Sequence, residues 1–327
     1  MATMTMVQAL NSALDNKLAD DKDILCFGED IGVNGGVFRV TEGLQAKFGT
    51  DRVFDTPLAE DSICGAAVGM AIAGLRPVAE MQFDGFVYPA FNQIKTHLSR
   101  FRYRTRSRHP MPVVIRFPYG GGVRALEMHS ESDEAIYAHI PGLKVVIPST
   151  PYDAKGLLIS AIEDNDPVIF QEPKRLYRAG RQEVPEDIYR IQIGKAKVEN
   201  EGKDVTILSW GAMMRVCRQA LEAIENDGIS VELIDLRTIY PLDHETIINS
   251  VKKTGRALVV QEGPQSFGVA AEVISLINEK AFFHLEAPPA RLCGNDTISP
   301  LPKSEDLYAP SPDRVRYRVQ KLMDCVA

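Results

Sequence analysis

Apolar positions along the chain follow two alternating patterns, one with the spacing of a helix face and one of short unbroken runs. Leu10 and Leu14 fall on one face of a predicted helix over 6–19, for which Thr5 is a suitable N-cap. The run at 24–28 that follows is apolar throughout and predicts a strand buried on both faces. The chain therefore begins with an amphipathic helix followed by a buried strand.

Strands and helices alternate in this way along most of the chain, which is typical of parallel strands joined by helical crossovers. Further strands are predicted at 52–55, 78–83, 112–117, 145–148, 168–170, 205–209, 230–235 and 257–261. Further helices are predicted to begin at Glu60 and end before Arg76, and at 89–100, 152–163, 213–226, 243–253, 267–279 and 312–325.

A charged stretch of weak periodicity, from Lys174 to about Gly202, separates two regions of alternating strands and helices. The length of 327 residues exceeds what one ordinary core accommodates. We therefore predict two α/β domains with mostly parallel sheets, at 1–190 and 204–327, joined by a linker at 191–203.

Charge and cysteine usage exclude several classes of protein. The net charge of −7 argues against nucleic-acid binding as the main role, and the five cysteines form no C-x-x-C pair. The longest apolar stretch, 64–75, is shorter than the roughly 20 residues that span a bilayer. The first ten residues lack the features of a signal peptide. We expect a cytoplasmic protein that neither inserts into membranes nor binds nucleic acid.

Two glycine-rich loops, at 32–36 and 120–122, have amides that could cradle phosphate, but neither has the spacing of a dinucleotide or P-loop motif. Turns that need positive φ are the favoured interpretation. Arginines alternate with other residues from Arg100 to Arg108, and we favour a solvated or inter-subunit ion-pair surface there over a nucleic-acid site.

Glu60 and His129 each have an ordinary and a functional interpretation. Glu60 opens a helix, where an acid complements the helix dipole by roughly 0.3–1 kcal/mol. His129 lies in a polar loop, where it is either solvated or a proton shuttle. The two residues by themselves leave both interpretations open.

Over nearly its whole length the chain resembles the β subunits of thiamine-diphosphate-dependent 2-oxo acid dehydrogenases. The resemblance rests on many colinear motifs, among them Phe27-Gly28-Glu29-Asp30, Asp55-Thr56-Pro57-Leu58-Ala59-Glu60, His129-Ser130-x-Ser132-x-Glu134-Ala135, Pro141-Gly142-Leu143-Lys144-Val145-Val146 and Asp235-Leu236-Arg237-Thr238-Ile239-x-Pro241. It implies a pyrimidine-binding domain followed by a domain like the transketolase C-terminal domain.

In this family thiamine diphosphate is shared with an α subunit, which holds the diphosphate through Mg²⁺ with a Gly-Asp-Gly…Asn motif. That motif is absent from this sequence. The resemblance therefore implies a chain that binds the aminopyrimidine end and is active only in a heterotetramer of two α and two β subunits. It also implies docking on a lipoyl acyltransferase core, oxidative decarboxylation of a 2-oxo acid, and reductive acylation of lipoyl-lysine.

The resemblance assigns roles to individual residues. Glu60 contacts the ring nitrogen of the aminopyrimidine, Phe86 packs against that ring, and Gln82 lines the pocket. Glu29 is a second acid, on a proton path between sites. His129 helps to place the substrate carboxylate or the lipoyl group and moves protons during acylation.

Two further sites follow from the same resemblance. A monovalent-cation (K⁺) site would be formed by Val113, Val114, Ala161, Asp164 and Asp166. Asp296 and the C-terminal Ala327 would contact the small binding domain of the acyltransferase core.

The motifs of this sequence resemble two subfamilies that act on different 2-oxo acids. The motifs around Gln82, His129 and Phe170 are closer to the branched-chain type, which we favour, whereas Phe38-Arg39-x-Thr41-Glu42-Gly43 also occurs in pyruvate-type subunits. The alternative is thus a pyruvate dehydrogenase β subunit. A self-contained transketolase-like enzyme and a non-catalytic assembly subunit are more distant alternatives. The missing diphosphate motif argues against the first, and Glu60 in its matching context against the second.

Overall fold

The computed structural model describes residues 1–325 and divides into two compact units. The first comprises Met1–Tyr119 and Ile136–Ile193, and the second comprises Gly120–Ala135 and the chain from Gly194 onward. The segment 120–135, which the sequence placed in the first domain, thus belongs to the second unit. Its Gly121 amide donates to the Glu262 carboxylate of that unit over 2.8 Å.

The first unit contains eight strands and seven helices within the described residues. The strands are β1 (Ala2–Met4), β2 (Ile24–Gly28), β3 (Val53–Asp55), β4 (Arg76–Glu80), β5 (Val114–Tyr119), β6 (Lys144–Val146), β7 (Val168–Pro173) and β8 (Gln182–Val184). The helices are α1 (Met6–Asp20), α2 (Leu44–Phe48), α3 (Glu60–Ile72), α4 (Phe91–Gln93), α5 (Phe101–Arg104), α6 (Glu134–Ala138), through which the unit boundary passes, and α7 (Pro151–Glu163).

Six of these strands form a parallel sheet in the order β6-β7-β5-β4-β2-β3, and β1 pairs with β8 in an antiparallel ribbon. Every residue of β2, β5 and β7 is buried, as expected of parallel strands covered on both faces. Helix α1 begins with a complete capping box, in which the Thr5 side chain accepts from the Gln8 amide and the Gln8 side chain accepts from the Thr5 amide.

The predicted helix over 89–100 is present as a run of helical turns over 88–98, but it is not a regular α-helix. The chain there forms a 3-10 turn at Tyr88–Ala90, the short helix α4, and a π-turn at Ile94–Leu98. The Ser99 amide donates to the Ile94 carbonyl over 3.0 Å, the i→i+5 bond that defines a π-turn. Strand β4 also ends at Glu80, three residues before the predicted end, and the chain then enters a 3-10 turn at Asp84–Phe86.

Within the described residues the second unit contains six strands, which are β9 (Lys197–Asn200), β10 (Val205–Ser209), β11 (Val231–Asp235), β12 (Thr238–Tyr240), β13 (Ala257–Pro264) and β14 (Ala290–Gly294). All of them except β12 form a five-stranded sheet in the order β14-β13-β10-β11-β9, with helices between its strands. Its helices are α8 (Gly211–Asn226), α9 (His244–Thr254), α10 (Val269–Ala281), α11 (Glu305–Tyr308) and α12 (Pro312–Met323). All pairings in this sheet are parallel except that of β9, an edge strand that lies in the predicted linker.

Both units are thus α/β with mostly parallel sheets, which confirms the predicted fold class. Among residues 1–325, the helices are too short or too polar to cross a membrane.

Candidate active site

Acidic residues collect at the carboxyl edge of the first sheet because three neighbouring parallel strands end there together. Gly28, the last residue of β2, is in register with Asp55 at the end of β3 and with Glu80 at the end of β4. Glu29 follows β2 directly, and Glu60 begins the helix that follows β3. Ligands of open α/β sheets bind at this edge.

Glu29 and Glu60 form a buried pair of carboxyl groups, with only 4% and 8% of their surfaces exposed. Neither oxygen of Glu29 has a hydrogen bond of ordinary geometry within the described chain. Burial, and then the charge of Glu60, raise the pKa of Glu29 to about 7, although the backbone N–H of Ala59 opposes the shift. The pair therefore supplies an acid that titrates near neutrality beside a second acid.

This raised pKa predicts a pH-dependent stability. Glu29 binds its proton more tightly in the folded state (pKa about 7) than at its ordinary value of 4.5, so its contribution to stability is present below pH 4.5 and is lost as the pH rises through 7. Relative to Glu29→Gln, the wild type should lose thermal stability between pH 5 and pH 7.5. Thermal unfolding across this range measures the difference. The exposed Asp51→Asn is the control, and parallel curves for wild type and Glu29→Gln would contradict the assignment.

The turn that follows β4 brings Gln82 to the same edge. Its Nε2 donates to Oδ2 of Asp30, the neighbour of Glu29, over 3.1 Å. Phe86 is half-buried, and its ring meets the Phe83 ring edge-on at 5.6 Å. Phe38 contacts Phe83 from elsewhere in the unit at 5.7 Å. The structure therefore brings Glu29, Glu60 and Gln82 to one sheet edge, with Phe86 in an aromatic cluster beside them.

A buried ionic network at this edge was missed by the sequence analysis. Arg116, on the central strand β5, pairs with Glu80 on β4 and donates from Nε to Glu172 on β7 over 2.7 Å. The Tyr177 hydroxyl donates to the second Glu172 oxygen over 2.6 Å. Burial raises the pKa of Glu80, and the adjacent carboxylates raise that of Arg116 despite its burial, so the guanidinium remains charged.

The sequence does contain a signal for this network. Arg116 interrupts the apolar run of β5, and Glu80 and Glu172 are charged residues in two other buried strands. Charged residues are almost never fully buried unless they are paired. The sequence therefore indicates that each of these charges needs a partner, but which charges meet depends on the order of the strands in the sheet.

His129 lies in the second unit and is half-buried. Its Nδ1 is 2.8 Å from the Glu127 carbonyl oxygen. Because a carbonyl only accepts, Nδ1 carries the proton in this contact, and Nε2 is the basic nitrogen of the neutral ring. This tautomer suits a proton shuttle, but the contact by itself does not assign a role.

The triple glycine before His129 binds protein carboxylates. The Gly121 amide donates to Glu262, and the amides of Gly122 and Arg124 donate to the two oxygens of Glu305. Gly120 and Gly122 have φ of 77° and 96°, so the favoured interpretation as turns needing positive φ holds. These amides are engaged within the unit and do not form a phosphate cradle.

The residues expected to hold a monovalent cation have protein partners. The Val113 carbonyl accepts from the Val168 amide over 2.9 Å, and the Ala161 carbonyl accepts weakly from the Asp164 amide over 3.3 Å. Val114 lies within the ladder of β5. Lys144 Nζ lies 2.6 Å from the Asp164 carboxylate and 3.4 Å from that of Asp166.

Arg102 also pairs with Asp166, and Arg76 donates to the Asp164 carbonyl over 2.8 Å. Protein cations already neutralise both carboxylates of this loop. A K⁺ ion at this loop would therefore have to be held by backbone carbonyl oxygens, and the site stays a prediction.

Asp296 is exposed, and its two oxygens accept from the Ser266 amide over 2.8 Å and from the Ser266 hydroxyl over 2.7 Å. These bonds lower the pKa of Asp296, so the side chain keeps its charge. Ala327 lies outside the described residues. Contact with the acyltransferase core stays a prediction. If wild type and Asp296→Asn bind the core with equal affinity at low salt, the prediction is contradicted.

Comparison with known proteins defines the class. Residues 2–180 match the transketolase pyrimidine-binding domain, and residues 194–315 match the transketolase C-terminal domain. A structure titled as a split-gene transketolase, an inactive β4 tetramer, superposes with a TM-score of 0.81 at 24% identity and full coverage of both chains, which supports the fold.

Closer relatives narrow the class to a family. The pyruvate dehydrogenase E1 component subunit β of Acholeplasma laidlawii is 56% identical over 98% of both chains. That of Bacillus subtilis is 53% identical over 99% of this chain and 100% of its own. The chain therefore belongs to the β subunits of the E1 component of 2-oxo acid dehydrogenases, oxidoreductases of the thiamine-diphosphate-dependent, transketolase-like class.

Proposed function

We propose that the chain is the β subunit of a pyruvate dehydrogenase E1 component and that it holds the aminopyrimidine end of thiamine diphosphate at the carboxyl edge of its first sheet. The observation that carries the proposal is the buried Glu29–Glu60 pair at this edge. The two relatives described above, 56% and 53% identical, are both named for pyruvate, which favours this substrate over the branched-chain acids suggested by sequence motifs.

The residues present fit this end of the cofactor. A buried carboxyl at Glu60 can share a proton with a ring nitrogen, and in a water-excluded site that hydrogen bond is strong. Glu29 has two buried oxygens that lack ordinary hydrogen bonds within residues 1–325, and its pKa of about 7 allows it to hold or release a proton at working pH. Phe86 offers an aromatic face for the ring. The bound cofactor would supply the electron sink for decarboxylation.

The other half of the site belongs to a partner in this proposal. The sequence contains no Gly-Asp-Gly…Asn motif, so an α subunit would bind the diphosphate and Mg²⁺. Two α and two β chains would form the enzyme, and a lipoyl acyltransferase core would receive the acyl group. Glu60 would act by holding a proton at its carboxyl, and Gln82 by anchoring the turn after β4 to Asp30.

Co-purification with the α partner followed by decarboxylation assays tests the proposal. We expect kcat/KM for pyruvate to exceed that for 3-methyl-2-oxobutanoate, and the chain without α to be inactive. A preference for the branched acid would overturn the substrate assignment. An assembled complex that decarboxylates neither acid would favour an assembly subunit, and activity of the isolated chain would contradict the shared site.

His129 is proposed to act in acyl transfer, and we expect His129→Ala to assemble and to bind cofactor. The overall reaction with a lipoyl acceptor should fall by at least about tenfold, roughly 1.4 kcal/mol, because a proton donor at the sulfur is lost. Decarboxylation with an artificial oxidant should fall less. The exposed His109→Ala is the control. Equal losses in both assays would move His129 to substrate binding, and no loss in either would make it a solvated loop residue.

A further inference from the structure

A pocket of about 530 Å³ lies in the first unit between the start of α1 and two loops, and none of its lining residues is used by the proposed function. Arg39 comes from the loop before α2, whereas Arg178 and Arg181 come from the loop before β8. The volume is in the range of small-molecule sites.

The three arginine side chains are exposed, and each donates a hydrogen bond to a neutral acceptor. Arg39 donates to the Asn34 carbonyl. Arg178 donates to the Phe38 carbonyl over 3.2 Å, and Arg181 donates to the Thr3 carbonyl over 3.3 Å. These bonds orient the side chains and leave their charges uncompensated.

Carboxylate partners for these arginines are missing from residues 1–325. No ion pair within 4.0 Å joins any of the three to an acid, although Glu42 also lines the pocket. The nearby start of α1 does not add a site, because its capping box already occupies the Gln8 amide. The pocket therefore carries three positive charges against one negative charge, and guanidinium forks match phosphate oxygens well.

We propose that this pocket binds a phosphate-bearing small molecule of nucleotide size. Arg39, Arg178 and Arg181 hold its phosphates. Glu42, which the same pocket exposes, accepts hydrogen bonds from hydroxyl groups of the ligand, as a carboxylate does with a sugar. With three positive charges against one negative charge, the site should favour a di- or triphosphate over a neutral ligand.

ADP binding to the assembled α–β complex, saturated with thiamine diphosphate and Mg²⁺, tests the proposal by calorimetry. We expect saturable binding of one ADP per β chain, weakened at least about tenfold in Arg178→Gln/Arg181→Gln because two charge-assisted contacts are lost. The control Arg104→Gln/Arg108→Gln removes the same charge from exposed arginines outside the pocket and should stay within about twofold of wild type.

A measurement without variants guards against misfolding of the double mutant. ADP should protect Arg178 and Arg181 of the wild-type complex from phenylglyoxal, read by peptide mass spectrometry, and should leave Arg104 reactive. If the control substitutions weaken ADP binding as much as the pocket substitutions do, the binding reflects only the general charge of the surface and the proposal is overturned. Absence of saturable binding, or absence of protection at the two pocket arginines, would also overturn it.

Discussion

Replacing Glu60 with Gln should lower the rate of decarboxylation by about 10²–10⁴-fold, the usual contribution of a positioned acid–base group. An amide has nearly the shape of the carboxyl but cannot hold or release the shared proton. Glu60 is buried at the start of α3, and glutamine has nearly the same size there, so assembly and cofactor binding should change little. Single-turnover decarboxylation by the assembled enzyme measures the effect.

Asp61→Asn is the matched control, since Asp61 is the next residue in the same first helical turn but is exposed. It removes the same charge from the helix N-terminus and should cost at most about 1 kcal/mol of stability, with little effect on rate. If Glu60→Gln exchanges the C2 hydrogen of bound thiamine diphosphate at a near-normal rate, Glu60 is not the activating carboxyl. An equal loss of rate in both variants would assign the effect to the helix terminus.

Arg116→Met should destabilise the protein by about 3–5 kcal/mol, because it leaves the carboxylates of Glu80 and Glu172 buried without their cation. At about 2–4 °C per kcal/mol for domains of 150–250 residues, the unfolding temperature of the first unit should fall by roughly 6–20 °C. Thermal unfolding followed by circular dichroism measures the change.

The pH dependence of the stability of Arg116→Met distinguishes the loss of the cation from the loss of packing. Burial raises the pKa of Glu80, and in Arg116→Met no guanidinium opposes that shift, so the folded state binds more protons and the stability deficit should shrink as the pH falls from 7.5 to 5.5. Adding Glu80→Gln and Glu172→Gln should recover much of the loss. A triple variant as unstable as Arg116→Met, with a deficit independent of pH, would show that lost packing is the cause.

Local patterns predicted most elements of the fold. Buried runs such as Ile24–Gly28 and Val205–Ser209 were predicted to the residue, because a run of about five mostly apolar residues between predicted helices favours a buried parallel strand. The Thr5 cap was likewise predictable, because capping depends on residues three positions apart. The change from 3-10 to α to π turns over 88–98 was not predictable, because the spacing of apolar residues does not distinguish i→i+3, i→i+4 and i→i+5 hydrogen bonds.

The candidate site divides in the same way. Glu60 and Glu29 were singled out by motif resemblance, but their mutual burial and the raised pKa of Glu29 depend on β2 and β3 being neighbours. The network around Arg116 joins residues 36 and 56 positions apart in the chain. The sequence indicates each charge, whereas pairing requires strand order.

The sequence by itself determined the two α/β domains, the position of most strands, the absence of a diphosphate-binding motif and the identity of the candidate acids. Tertiary structure alone decided which charges meet: Lys144 and Arg102 on the acidic loop at 164–166, Glu262 and Glu305 on the triple glycine, and three arginines around one pocket. Periodicity is a property of neighbours in the chain and can be read locally. Electrostatic energy depends on separation in space and on burial, and those are fixed only when distant segments pack together.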